Sequence, residues 1–215
     1  MSKNLAETID EFDVTPEFLY GTACHEAGHA VALFIAAQCL KLPARDVLVG
    51  MRVDKNGDGF LSDFHGRRVE DSLGLFTVAS IWTDKLKFFA NMSRDEKKEC
   101  AETLEMHALV LLSGPYAEVT NERGLSSASL DINMDTGRGD LREVDKVSRV
   151  ISSFHLPHSF FPARSWIQLR MEARALVRHN WTAIEAIAAR LYEKGELSGQ
   201  EAYDIFVVNP VTLAA

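Results

Sequence analysis

The longest apolar stretch runs from Ala27 to Leu42, broken by His29, Gln38 and Lys41, and the apolar Leu19, Ala23, Ala30, Val31, Phe34 and Ile35 predict a buried helix. Thr15-Pro16-Glu17 supplies its start: a hydroxyl to cap, a proline at the first helical position and an acid at the positive end of the dipole. The helix extends to about Leu40, because Pro43 disfavours helical geometry in the residue before it. Beyond it the pattern changes. Asp46 to Val53 is rich in Val and Leu, Asp54 to Gly59 is turn-forming, and Phe60 to Phe64 is again apolar, which predicts a β-hairpin.

Ser93-Arg94-Asp95-Glu96 is a capping box opening a helix that carries Leu104, Ala108, Leu111 and Leu112 at helical spacing. Gly114-Pro115 is expected to punctuate it, with a shorter helix resuming through Ala117 and Glu118. From Arg123 to Gly139 the chain is rich in Gly, Ser, Asn and Asp, and reads as a long loop of the kind that often carries function. Val144, Val147, Ile151 and Phe154 mark another amphipathic helix. Helices from about Pro162 to His179 and from Thr182 to Lys194, and a short last one opened by Ser198-x-x-Glu201, complete the chain. Gly66 to Met92 has no clear pattern. The expected fold class is mainly α (α+β) with one small sheet in the N-terminal third, as a single domain over residues 15–208 between tails 1–14 and 209–215.

The chain has 215 residues and 47% hydrophobic content, enough for one domain with a substantial core. Its formal charge of −8 disfavours nucleic acid as a partner. Cys24, Cys39 and Cys100 are odd in number and widely spaced, which fits reduced thiols in the cytoplasm. No secretory h-region is visible at the N-terminus, and the apolar run from Ala27 to Leu42 is shorter than the roughly 20 residues that span a bilayer, so no membrane insertion is expected.

Inside the first predicted helix lies His25-Glu26-Ala27-Gly28-His29. Residues four apart share a helical face, so both imidazoles can address one ion while Glu26 lies beside it. Neutral imidazoles suit Zn²⁺, which in catalytic sites takes three protein ligands and leaves one position for water. Such an ion lowers the pKa of bound water to about 7, and a neighbouring carboxylate can move the proton. An HExxH string arises by chance in about one chain in a hundred of this length. In a buried helix, however, two histidines and a glutamate are costly without a ligand or partner. An Asp or Glu must complete such a two-histidine site, with Glu118 one candidate; on the residues alone Asp140-x-x-Glu143 reads as an N-capping box for the helix that follows.

Together these segments resemble the FtsH-type peptidases, the proteolytic part of membrane-bound ATP-dependent zinc proteases. HEAGHA matches their zinc helix, LLSGPYAEV (111–119) their Gly-x-x-Ala-Glu helix, and TGRGDL (136–141) their Thr-Gly-x-x-x-Asp-Leu segment, one residue shorter here. AIEAIAARLYEKGELSGQEAYDIF (183–206) is similar to their closing helices. The resemblance implies a zincin-like helical domain with His25, His29 and Asp140 as ligands, Glu26 as general base, and Glu118 hydrogen-bonding behind the ligands. It also implies that the strand near Gly59 to Phe64 pairs with an extended substrate. No Gly-x-x-x-x-Gly-Lys phosphate loop occurs, so ATP-driven unfolding within this chain is not expected. The expected function is a zinc metalloendopeptidase acting on flexible or unfolded chains, as a homo-oligomer or with a separate ATPase. The rivals are a zinc-bound, non-proteolytic interaction protein and a hydrolase of non-peptide amides.

Several features read as decoys. Asp54 to Gly59 copies the first half of an EF-hand loop, but its twelfth position is His65 and not Glu, so it reads as a turn. Cys24 points about 100° away from His25 and reads as core. His65, His107, His155, His158 and His179 receive no role, and Phe160, Phe161 and Trp166 read as core or an oligomer contact.

Overall fold

Thr15 caps α1 (Pro16–Cys39), its hydroxyl accepting the Phe18 N–H at 3.2 Å. Every residue from Ala23 to Ala37 is buried, so this helix is the central element of the fold. It stops in a left-handed turn at Lys41, φ 55°, where the Leu42 N–H reaches back to the Ala37 carbonyl at 2.8 Å. The computed structural model describes residues 15–56, 60–70, 74–87, 91–126, 132, 137–155 and 165–209. Residues 1–14, part of the 54–59 turn, most of the 123–139 loop, His158, Phe160 and Phe161 lie outside them.

Among the described residues the fold is mainly helical with small antiparallel sheets. After α1 come β1 (Leu48–Val53), β2 (Phe60–Ser62), β3 (Arg68–Glu70), β4 (Gly74–Val78) and α2 (Ser80–Lys85). Then follow α3 (Arg94–Arg123), α4 (Arg138–Ser153), α5 (Trp166–His179), α6 (Trp181–Lys194), β5 (Glu196–Ser198) and α7 (Gly199–Val208). Reciprocal capping boxes open α3 at Ser93 and Glu96, α5 at Ser165 and Gln168, and α7 at Ser198 and Glu201. No helix is long and apolar enough to cross a membrane.

The strand pairing differs from the expected hairpin. β1 does not pair with β2; it lies between β4 and β5, antiparallel to both, while β2 pairs with β3. Long-range burial decides this, because Met51 and Val53 of β1 and Leu197 of β5 all belong to the core. The β2–β3 hairpin folds across the sheet instead. The Phe64 ring occupies the space that a side chain at Gly50 would need, and the Arg52 guanidinium lies 4.4 Å from that ring.

The expected break at Gly114-Pro115 is also absent, and α3 runs through both residues for 30 positions. A proline inside a helix costs about 3 kcal/mol through its lost N–H and its clash with the preceding turn. Leu112 to Thr120 are all buried, which offsets that cost, since each large apolar side chain buried contributes about 1.5–3 kcal/mol. α3 packs chiefly on α1, which packs in turn on α6. Leu33 and Phe34 of α1, Leu112 and Tyr116 of α3, and Ile184, Ile187 and Leu191 of α6 are almost wholly inaccessible.

Gly28 makes the α1–α3 contact possible, since a Cβ there would stand 2.5 Å from the Ser113 carbonyl oxygen and 2.7 Å from the Ala117 Cβ. Overpacking of this kind costs about 1–3 kcal/mol, whereas alanine gains about 1 kcal/mol in helix propensity. Gly28→Ala is therefore expected to lower the unfolding free energy measured in urea by about 1 kcal/mol or more; a gain in stability would show that the helices separate freely.

Candidate metal centre

α1 presents His25 and His29 to α3 and to the start of α4. The His29 Nδ1–H donates to the Val110 carbonyl at 2.8 Å, which leaves its Nε2 free to act as a ligand. The His25 Nδ1–H donates to Glu118 Oε2 at 3.1 Å. Each ring is thus oriented by an oxygen acceptor behind it, as metal-binding imidazoles generally are. Gly114, read from the sequence with Pro115 as a breaker, leaves the space in front. A side chain at Gly114 would overlap His29 Nε2 and His25 Cδ2.

Asp140 faces both rings. Its Oδ2 lies 3.0 Å from His25 Nε2 and its Oδ1 3.4 Å from His29 Nε2. It is not the cap of α4: that position is held by Gly137, and Asp140 stands in the first helical turn with its carboxylate directed at α1. Of the two carboxylates open as third ligand, Asp140 therefore joins the histidines in front, and Glu118 sits on the far nitrogen of His25. His25, His29 and Asp140 each offer one ligand atom within 4.8 Å of the others. Ligands at about 2.1 Å around a tetrahedral ion stand roughly 3.4 Å apart, near the carboxylate–imidazole separations of 3.0 and 3.4 Å here. Two nitrogens and one carboxylate suit Zn²⁺ or Fe²⁺.

Glu26 is buried beside the ligand set, and its Oε1 fills the place that a side chain at Gly74 of β4 would take. Burial raises its pKa, against the pull of His25 and His29. For His25, burial opposes the charge, but hydrogen bonds to Asp140 and Glu118 overcome it and raise the pKa to about 10. Burial would raise the Asp140 pKa, yet neighbouring His29 and the hydrogen bond with His25 hold it well below the carboxylate range.

β4 was invisible in the sequence because Gly66 to Met92 carries no clean alternation. It forms an edge of the three-stranded sheet and passes the site, with Gly74 against Glu26 and the Phe76 ring 5.4 Å from that of His29. β4 thus stands beside the site, whereas Gly59 lies outside the described residues and Phe60–Ser62 pairs with Arg68–Glu70. Cys24 is buried beside Tyr20, and burial pushes its thiol up to about 12. His65, His155 and His179 are exposed, as is Trp166, which is no core residue. No protein-family model and no curated protein matches the chain.

Two measurements test the centre with Zn²⁺ as probe. The metal-free His25 holds a proton that an ion must displace, so binding releases it and affinity rises with pH, about tenfold per unit between pH 7 and 9. A pH-independent affinity would exclude His25 Nε2 as a ligand. Asp140→Asn is expected to lose the ion at stoichiometric zinc, whereas Glu118→Gln keeps it with affinity lowered about 10-fold; the opposite ranking would exchange the two roles.

Proposed function

We propose that this chain is a zinc metalloendopeptidase of the FtsH type that hydrolyses flexible or unfolded segments of polypeptide. The observation that carries the reading is the buried face of α1, where His25 and His29 meet Asp140 while Glu26 stands beside them, so a ligand set and a carboxylate base adjoin. A purely structural metal site has no use for such a base. Zn²⁺ held by His25, His29 and Asp140 would polarise the scissile carbonyl and acidify the attacking water.

Glu26 would take the proton from the attacking water and deliver it to the leaving amine. Its raised pKa brings it closer to the operating pH, where general bases are most effective. Glu118 and the Val110 carbonyl hold the two rings in place. Among the described residues β4 is a terminal strand of its sheet, the position at which an extended segment can join by strand addition, which favours unfolded over folded substrates. The three cysteines are free, in keeping with a cytoplasmic setting. Folded substrates would need a partner ATPase.

The test is cleavage of unfolded casein by zinc-loaded protein, with and without chelator. Wild type is expected to cleave and the chelated protein not; Glu26→Gln is expected to keep its zinc and lose activity at least 100-fold. Zinc bound without any hydrolysis is the result of a non-proteolytic interaction protein and would overturn the reading.

A further inference from the structure

α2 follows directly from β4 and carries Trp82, a fully buried indole. Its Nε1–H lies 3.3 Å from Nδ1 of His107 on α3, and the two rings pack with centroids 6.1 Å apart. An indole N–H only donates, so Nδ1 of His107 must accept, and the neutral ring then carries its proton on Nε2. Among the described residues Nε2 has no hydrogen-bond partner. The molecule therefore fixes the tautomer of a histidine outside the ligand set and leaves its single N–H unused.

Helix geometry places the residue that carries it. His107 precedes Val110, whose carbonyl holds His29, by three residues, and precedes Gly114, which faces both ligand rings, by seven. Residues three and seven apart on a helix return to one face, about one and two turns along. His107 thus stands on the stripe of α3 that faces the site. The charged groups that act on it are His29 of α1 and Asp140 and Glu143 of α4. Burial first, and then His29, pushes the ring down to about 4, so it stays neutral and does not add a cation beside the ion.

We propose that His107 is a catalytic residue: its Nε2–H donates to the carbonyl oxygen of the bound peptide as that oxygen gains negative charge, and Trp82 is the positioning residue that fixes the required tautomer. This rests on the peptidase reading. The water oxygen bonds to the carbonyl carbon and the C=O π pair moves onto oxygen, while Glu26 takes one water proton. His107 keeps its own proton throughout. The pair then returns, the C–N bond breaks, and the amine leaves with the proton from Glu26.

Removing one such donor typically costs 10²–10³ in kcat. With zinc-loaded protein and unfolded casein, His107→Phe is expected to lower kcat about 100-fold with KM within about twofold and zinc content unchanged. His107→Gln, whose amide keeps a donor near the Nε2 position, is expected to restore most of the loss. A readout independent of activity is the ¹⁵N NMR spectrum of the metal-free protein: His107 should show the Nε2–H tautomer, and Trp82→Phe should mix the tautomers and lower kcat about 10-fold. Cleavage by wild type with unchanged kcat in His107→Phe, or an Nδ1–H tautomer, overturns the role of His107 alone. Equal losses in the Phe and Gln variants do the same, since they show that the donor is not what matters. Absence of cleavage by zinc-loaded wild type overturns the peptidase reading and this role with it.

Discussion

Side chains on two helices converge on one point, as His25, His29 and their acceptors do, only if the backbones approach more closely than ordinary side chains permit. Gly28 removes the obstacle from α1 and Gly114 from α3, the first against the Ser113 carbonyl and Ala117, the second against both imidazoles. Gly21, one heptad before Gly28, continues the same face against Glu118 and Asn121, which shows the two helices running antiparallel along this seam. The close approach brings the Val110 carbonyl within reach of His29 and Glu118 within reach of His25. Side chains at these glycines would hold the helices apart and separate the rings from the acceptors that orient them.

The seam has an electrostatic cost that the surrounding groups offset among themselves. His25, Glu26, His29 and Glu118 are all buried, and an isolated charge there would cost several kcal/mol. Asp140 bridges the front nitrogens of both rings, and Glu118 and a backbone carbonyl take the rear ones, so each imidazole N–H meets an acceptor. A divalent cation in place of the His25 proton would satisfy the same carboxylate. The cluster is thus consistent both with a protonated resting state and with the ion on which the proposed reaction depends.

The small sheet gives this helical seam its outer wall. β1 is bound on one side to β4 and on the other to β5, nearly 150 residues away in sequence, so the C-terminal helices α6 and α7 are tied to the site through a backbone ladder. Arg52 reinforces the tie with an ion pair to Glu196 at 3.0 Å and a contact to Phe64. β4 is left as an edge, with Phe76 against His29 and Gly74 against Glu26, and α2 directly after it delivers Trp82 to His107. One short stretch thereby supplies both the strand beside Glu26 and His29 and the indole that bonds His107.

What the sequence determined by itself was local. Helix starts followed from capping chemistry at Thr15, Ser93 and Ser198, and the convergence of His25 and His29 from their four-residue spacing, because each depends on atoms within one helical turn. Residues far apart in sequence were decided by tertiary structure. The sheet order β4-β1-β5 replaced a plausible local hairpin because core burial of Met51 and Leu197 outweighs a short loop. Gly114-Pro115 reads as a break until α1 is packed beside it, when the missing side chain becomes the room that the imidazoles occupy. Asp140 fits a cap or a ligand by pattern, and only the packing of α4 on α3 turns its carboxylate toward both rings of α1. The physical reason is the same in each case: a pattern records what a segment can do, and the energy of burying it against a distant segment selects which of those things it does.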